Sequence, residues 1–306
     1  MKHTLSILTL ALCACTMQTA FAATDKLLLT GGVTTVDGAA GGGISPWAVI
    51  GSNAAANQVG GTVSATRLKT TDYGLTAYGA SIGFKERIEL SLGTQDFDTG
   101  VTGTALGIPG LHLKQQIVGV KVKIAGDAIL NSDSLMPQIA VGVLHKSLES
   151  SKLDPTLAAL GAKKSGTDVY VSATKLFLAQ GILLNGTLRA TKANQNGLLG
   201  FGATLGGDYN SYKIMPEVSV AFLLRKNLAI GAEYRKMPNN LQVAGATAML
   251  GADGLKADAW KDIFIAWAPT KNVSVTLAHA DLGKIVPATT NKRKQSGTYL
   301  SVQLAI

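Results

Sequence analysis

Apolar and polar residues alternate along much of this chain with a period of two. The last segment shows the pattern clearly: Leu300, Val302, Leu304 and Ile306 alternate with polar or small residues. Successive side chains of a β-strand point to opposite faces, so this period predicts a strand with one apolar and one polar face. In an outer-membrane barrel, such a terminal strand pairs with the first strand and closes the cylinder.

The alternation recurs in earlier segments, which together with residues 296–306 predict twelve strands. These segments are 26–36, 73–84, 88–97, 112–124, 136–147, 167–178, 182–193, 214–224, 228–235, 260–268 and 273–282. Two further segments, 62–68 and 198–208, are assigned to long loops. Counting both as wall strands gives fourteen instead of twelve.

Connection lengths favour twelve strands. The four tightest turns are residues 85–87, 179–181, 225–227 and 269–272. Transmembrane barrels have short periplasmic turns and longer external loops. Twelve strands put all four turns on one side together with both chain ends, whereas fourteen do not. The predicted fold is therefore all-β, an antiparallel transmembrane β-barrel of about twelve strands. A soluble β-sandwich typically covers only about 100 residues, whereas this pattern continues without a linker.

The start of the chain indicates export. Lys2 is followed by an apolar stretch and by the small residues Ala20 and Ala22, which predict a signal peptide over residues 1–22. Residues 23–306 then form one barrel domain in the cell outer membrane. A lipoprotein site at Cys15 is the alternative. Both cysteines, Cys13 and Cys15, lie within the signal, so the mature chain has no thiol chemistry.

Composition and charge narrow the partners. Only 15% of the residues are charged and 35 are glycine, which is too apolar for a disordered chain. The formal net charge of the 306 residues is +9, and a basic balance suits an anionic membrane surface or an anionic ligand. Export argues against nucleic acid. The expected partners are outer-membrane lipid and lipopolysaccharide, for which the loop residues 292–294 are candidates, and a small anionic solute.

Two motifs resemble known outer-membrane sequences. Gln295, Gly297, Leu300 and Val302 resemble the C-terminal signal read by the barrel-assembly machinery, although the chain ends on Ile306 and not on an aromatic residue. The stretch 41–48, read GGGISPWA, is similar to the signature of a bacterial family known as domain of unknown function 3034. That resemblance implies an outer-membrane protein of Gram-negative bacteria with no assigned substrate.

Candidate chemistry is sparse. The three histidines of the predicted mature chain are far apart, without a second ligand at metal-binding spacing, so no metal and no cofactor are expected. His145 and Ser147 share the outward face of one strand near the external rim, as in outer-membrane phospholipases and lipid A deacylases. A catalytic triad also needs a group that orients the imidazole. None is evident unless Asp168 or Glu149 bends in, so we expect no catalytic residues and no enzyme.

Charged residues opposite the apolar faces are the candidates for the lumen, because charges are costly in lipid and acceptable in water. They are Glu89, Lys121, Lys123, Arg189, Glu217, Arg225, Glu233 and Arg235. Five are basic and three acidic, which predicts a mildly basic lumen in which the carboxylates pair with some of the bases. The expected function is a narrow channel or solute-uptake barrel, and with twelve strands the pore is either narrow or plugged by a loop. The alternatives are a lipid hydrolase using His145 and Ser147, and a structural or adhesive barrel.

Overall fold

The computed structural model describes residues 28–29, 32–53, 57–128, 135–149 and 151–306; the predicted signal peptide lies outside them. Two short paired strands, β1 (Val33–Thr34) and β2 (Ala40–Gly41), precede a closed barrel of twelve antiparallel strands. The barrel strands are β3 (Val59–Thr70), β4 (Gly74–Phe84), β5 (Ile88–Asp98), β6 (His112–Ala125), β7 (Gln138–Glu149), β8 (Ser165–Phe177), β9 (Ile182–Thr191), β10 (Lys213–Arg225), β11 (Leu228–Arg235), β12 (Trp260–Trp267), β13 (Val273–Asp281) and β14 (Ser296–Ala305).

Short helices lie in the connections between strands. They are α1 (Gly100–Ala105), α2 (Asp154–Leu160) and α3 (Leu241–Thr247), with single 3₁₀ turns at Ser151–Leu153 and Asn194–Gly197. Among the described residues, no helix is long and apolar enough to cross a membrane.

The terminal strand closes the barrel, as predicted. β14 pairs antiparallel with β3, from Gly297 opposite Thr70 to Ala305 opposite Thr62. Every backbone group of the wall can then pair with a neighbouring strand, which removes the free edges that an open sheet would present. The predicted strand count of twelve is confirmed.

Two segments of the sequence prediction are wrong, and the errors offset each other. Residues 62–68, assigned to a loop, lie within β3. In the range 26–36, assigned to the first wall strand, the described residues 32–36 lie inside the barrel and include β1, not a wall strand. The alternation of β3 is weak because small residues such as Gly61 and Ala65 stand on its outer face. Segment 198–208 is a loop, as predicted.

The two ends of the barrel differ. All four tight turns join strands at the end where β3 begins and β14 finishes, which we call the turn end. The opposite end, the loop end, carries the long connections 99–111, 150–164, 192–212, 236–259 and 282–295 and the short turn 71–73, whereas the connection 126–137 lies at the turn end. The prediction that the tight turns share one side is confirmed by this topology.

The barrel is apolar outside and polar inside. On β6, Val118, Val120 and Val122 are exposed, whereas Lys121 and Gln115 on the other face are buried. The same alternation exposes large apolar side chains on every strand of the wall. A soluble protein rarely exposes so continuous an apolar surface, whereas a barrel surrounded by lipid requires one.

Apolar inward residues cluster near the loop end and fasten the loops to the wall. Leu75 and Phe97 line one small space together with Leu198, Leu282 and Ile285 from two loops. The connections 192–212 and 282–295 are thereby held over the mouth of the barrel.

Candidate functional site: a plug inside the barrel

The lumen is occupied by the chain itself. Residues 32–53, which we call the plug, lie inside the barrel, and almost all of them are buried. The plug includes the β1–β2 hairpin, in which Val33 opposes Gly41. Its far end returns to the turn end, where Asn53 donates to the backbone oxygens of Lys271 and Ala305 at 2.8 and 3.2 Å. The plug is therefore a hairpin inserted from the turn end.

Backbone groups of the plug are satisfied by side chains of the wall. Ile44 N donates to Glu233 Oε2 at 2.9 Å, and Ala48 N donates to Thr174 Oγ1 at 2.8 Å. The carbonyl oxygen of Pro46 accepts from the Thr187 hydroxyl at 2.8 Å. Buried backbone polar groups need such partners, so the polar inner face of the wall is what allows an irregular segment to lie there.

A charged pair holds the plug near the turn end. Lys121 Nζ lies 3.1 Å from Glu89 Oε2, and both side chains are buried. Lys121 also donates to the carbonyl oxygens of Ala40 and Val49, at 3.0 and 2.7 Å. Glu89 accepts from Ala40 N at 3.0 Å and from Gly51 N at 2.7 Å. The pair thus connects both arms of the plug to β5 and β6.

Asp37, at the tip of the plug, lies among three basic side chains of the wall. Its Oδ2 atom is 3.2 Å from Lys146 Nζ, 3.3 Å from Arg235 Nη1 and 3.6 Å from Arg189 Nη1. Burial alone would raise the pKa of this carboxyl, but the three cations outweigh it and hold the pKa well below its usual range. The plug therefore carries a charged tip.

The other carboxylate oxygen of Asp37 accepts from two amides. Asn196 Nδ2 donates to Oδ1 at 2.6 Å, and Gln95 Nε2 does so at 3.2 Å. Asn196 belongs to the loop-end connection, and its side-chain oxygen accepts from Lys146 and, at 2.6 Å, from Arg235 Nη2. Side chains of the wall and of the loop-end connection 192–212 therefore both hold the tip.

Two wall carboxylates complete this group. Asp168 Oδ2 lies 3.2 Å from Lys146 Nζ and 3.3 Å from Arg189 Nη1. Glu217 Oε1 lies 2.5 Å from Arg189 Nε and 3.4 Å from Arg235 Nε. We call the five wall residues the tip cluster; they come from five consecutive strands, β7 to β11, and are Lys146, Asp168, Arg189, Glu217 and Arg235.

Close packing matches the plug to the wall. A Cβ atom on Gly93 of β5 would lie 2.7 Å from the carbonyl oxygen of Asp37. Conversely, a Cβ on Gly38, which has a φ of +90°, would lie 2.6 Å from the carbonyl oxygen of Leu92. Trp47 packs inside the lumen between the tip of the plug and the turn end, and its Nε1–H group donates to Ser219 Oγ at 3.0 Å. A cavity of about 30 Å³ remains beside Trp47, lined mainly by apolar side chains.

The eight predicted lumen residues fall into three groups. Glu89, Lys121, Arg189, Glu217, Glu233 and Arg235 are buried inside the barrel. Lys123 lies near the turn end, with its side chain 20% exposed and 3.7 Å from Asp127. Arg225 does not reach the lumen: it is exposed at the β10–β11 turn, where an irregularity shifts the strand register.

Pairing inside the lumen follows the expectation for two of the three predicted carboxylates. Glu89 pairs with Lys121, and Glu217 pairs with Arg189 and Arg235. Glu233 has plug and serine partners instead: besides Ile44 N, it accepts from Ser219 Oγ at 2.7 Å.

Sequence reasoning missed several lumen residues, and they change the charge balance. Lys146, Asp168 and Asp262 are also buried on the inner face. The described buried charges on the inner face of the wall are then four bases and five acids, so the lumen as a whole is not basic; Lys175 is also buried but lies on the outer face of β8. Strand parity would have found these three, because their neighbours on either side point outward. Asp37 gave no such signal, because the sequence left open whether a loop plugs the pore and did not indicate which loop.

His145 and Ser147 lie on the outer face of β7 near the loop end. His145 Nδ1 lies 3.0 Å from Thr167 Oγ1 of the neighbouring strand. Asp168 points into the lumen towards Lys146, and Glu149 accepts from Gln116 at 2.7 Å. Neither carboxylate is hydrogen-bonded to His145. Within the described ranges, no group of three or more histidine, cysteine or acidic residues could hold a metal ion.

Comparisons with solved structures agree with this architecture. The NanC porin is 11% identical, with a TM-score of 0.51, and the match covers 80% of this chain and 100% of that chain. The KdgM porin in complex with disordered oligogalacturonate is 8% identical, with a TM-score of 0.49, covering 80% of this chain and 99% of that chain. Outer membrane phospholipase A from Escherichia coli is 10% identical, with a TM-score of 0.41, covering 80% and 92%. At these identities the likeness concerns the fold alone.

The closed twelve-strand wall with an apolar outside defines a porin-like β-barrel of the outer-membrane type. No curated protein sequence matches this one. The chain belongs to the family described as protein of unknown function (DUF3034), which matches residues 30–303. The match includes the whole plug. The GGGISPWA stretch, residues 41–48, which carries the resemblance, belongs to the plug and lies inside the barrel.

Proposed function

We propose that this protein is a gated outer-membrane channel that is closed by its own N-terminal plug and opens when the plug leaves the lumen. One observation carries the proposal: polar side chains of the wall bind the backbone and the charged tip of the plug along much of its length, with an apolar patch around Trp47. The plug contacts serine, threonine, amide and charged side chains of the wall, as with Ser172, Thr174 and Gln138.

A polar surface of this kind suits a movable plug. Each hydrogen bond between plug and wall can be exchanged for one to water at a net cost of about 1 kcal/mol. The exposed inner wall would then be wetted, as the lumen of a channel must be. Exposing apolar surface would instead cost about 25 cal/mol for each Å². The polar part of the inner wall therefore supports a water-filled state, whereas the apolar patch around Trp47 favours the closed one.

Preference among ions would arise locally. The inner face of the wall has five buried acids and four buried bases, so the sum of the charges does not favour anions. The tip cluster is different, because it holds three bases and two acids at one level of the lumen. In a narrow pore, field lines concentrate between low-dielectric walls, and such a level sets which ions pass. We propose that small anionic solutes are favoured there.

The remaining sequence expectations belong to the same proposal. The chain would be exported through a cleaved signal peptide over residues 1–22 and inserted by the barrel-assembly machinery. Lipopolysaccharide phosphates would contact the exposed loop residues 292–294. No enzymatic activity is proposed, because the partner observed for His145 is the Thr167 hydroxyl and not an acid or amide.

A reversible crosslink tests the gate. A Cβ on Gly79 would lie 2.8 Å from Cγ2 of Thr34 in the plug, so cysteines at both positions are within disulfide reach. In planar bilayers, the oxidised Thr34→Cys/Gly79→Cys protein should stay closed, and reduction should restore openings. The control is Thr34→Ser/Gly79→Ser, which has side chains of similar size and cannot crosslink. Equal conductance before and after reduction, with the disulfide verified, would refute a moving plug.

A further inference from the structure

The tip cluster surrounds a carboxylate in the way a binding site surrounds a ligand. Three cations approach Oδ2 of Asp37, and two amides donate to Oδ1. All five donors are buried, and they come from separate strands and a loop. Each carboxylate oxygen therefore has its own set of donors, an arrangement that suits a planar anion with two oxygens.

The net charge of the tip cluster also favours binding of an anion. Without Asp37, the tip cluster has three bases against the carboxylates of Asp168 and Glu217, which leaves one unbalanced positive charge. Asp37 cancels it when the plug is seated. Between the low-dielectric walls of a narrow lumen, an unpaired positive charge attracts anions, so the cluster favours binding of an anion when the plug is out.

Other acids limit which anion fits. Glu233 and Asp262 oppose each other on β11 and β12, two residues from Arg235 toward the turn end. Glu233 contacts the plug at Ile44 and not at Asp37. The cluster has only one positive charge in excess of Asp168 and Glu217, so a second negative charge on the ligand would have no base to pair with. The cluster is therefore matched to a single carboxylate and less well to a doubly charged phosphate.

We infer that the tip cluster is a binding site for the carboxylate group of a solute, and that Asp37 is a tethered competitor occupying it in the closed state. A carboxylate solute that takes the place of Asp37 stabilises the open channel, because the plug and the solute cannot occupy the cluster at the same time. The inference rests on the proposed function, since it requires a plug that moves.

Chemical rescue tests the site directly. In full-length Asp37→Ala, the carboxylate is removed and the cluster keeps its positive charge. We expect this variant to melt at a lower temperature than the wild type, and acetate at about 10–100 mM to recover part of the loss, since a ligand that binds only the folded state stabilises it. Acetamide has the same shape without the charge and should have no effect. Equal effects of acetate and acetamide on a folded variant would overturn the site.

Channel recordings test the competition. Glucuronate should raise the open fraction of the wild type, whereas glucose, its neutral counterpart, should not. Asp37→Asn keeps the shape of the tip but removes its charge, so its half-maximal glucuronate concentration should fall about ten-fold, as expected for the loss of a charged hydrogen-bonding partner. No shift would show that Asp37 and the solute do not compete. If the crosslink described above fails to close the channel, the gate itself is wrong; if the crosslink closes it but glucuronate has no effect, only this inference fails.

Discussion

Lys146 of β7 and Asp37 of the plug lie 109 residues apart in sequence, and Lys146 Nζ is 3.2 Å from Asp37 Oδ2. Both side chains are almost fully buried. Lys146 also contacts Asp168 and Asn196, so one ammonium group joins the plug, the wall and a loop. The tip of the plug is thus fixed by electrostatics as well as by packing.

The first prediction concerns this contact. Lys146→Met keeps a long side chain but removes the charge, leaving Asp37 with two arginines. Removing one partner of a buried ion pair costs about 3–5 kcal/mol, so the plug should be less firmly seated and channel openings more frequent in bilayer recordings.

A matched control uses a surface pair. Lys164 lies 2.9 Å from Asp154, and both side chains are largely exposed. Exposed pairs contribute about 0–1 kcal/mol, so Lys164→Met should leave openings unchanged. Similar behaviour of the two variants would mean that the Lys146 contact does not hold the plug.

The second prediction concerns pH. Asp37 lies in the plug, outside the wall strands, and its pKa is lowered in the folded protein. A lowered pKa means that its stabilisation is present above the usual aspartate range and is lost only as pH falls through the lower, folded value. The difference in melting temperature between wild type and Asp37→Asn should therefore stay constant from about pH 7 to about pH 5.

Taking a difference between two proteins removes the contribution of other titrating groups. The charged groups that face Asp37 are Lys146, Arg189 and Arg235, and they are the same in both proteins. A difference that shrinks between these pH values would mean that the Asp37 carboxyl is not stabilised as an anion by this cluster.

The third prediction concerns the outer face. His145→Ala and Ser147→Ala should leave conductance and thermal stability unchanged, because both residues lie on the outer side of β7, away from the plug. The purified wild type should not hydrolyse phospholipid or lipid A, since the partner of the His145 imidazole among the described residues is the Thr167 hydroxyl and not an acid or amide. Hydrolysis that both variants lose would establish the enzyme alternative.

The wall could be predicted from the sequence because lipid imposes a simple rule on it. Outward residues must be apolar, so a period of two appears wherever a strand crosses, as on β6 and β14. Strand β3 was not predicted as a wall strand because small residues occupy its outer face. Turn lengths supplied the parity that fixed the count of twelve.

The plug could not be predicted in the same way. Its glycines and Pro46 indicate a loop, but nothing in a local pattern shows whether a loop lies outside or within the lumen. The contacts of Asp37 span up to 198 residues in sequence, as with Arg235. The inward orientation of Lys146 and Asp168 could be predicted from strand parity. The convergence of Lys146, Arg189 and Arg235 on the Asp37 carboxylate follows only from the closed barrel.

The last prediction separates packing from charge. Gly93 faces the lumen, and a side chain there would meet the carbonyl oxygen of Asp37, since even a Cβ would lie only 2.7 Å from it. Gly93→Val should therefore displace the tip without altering any charge, and openings should become more frequent, as in Lys146→Met. Gly186→Val is the control, because Gly186 lies on the exposed face of β9, where an added Cβ has no neighbour within 4 Å. Resistance of Gly93→Val to unfolding in SDS until it is boiled would verify that this variant is a folded barrel. If the folded variant remains as closed as Gly186→Val, the seated plug is not what closes the channel.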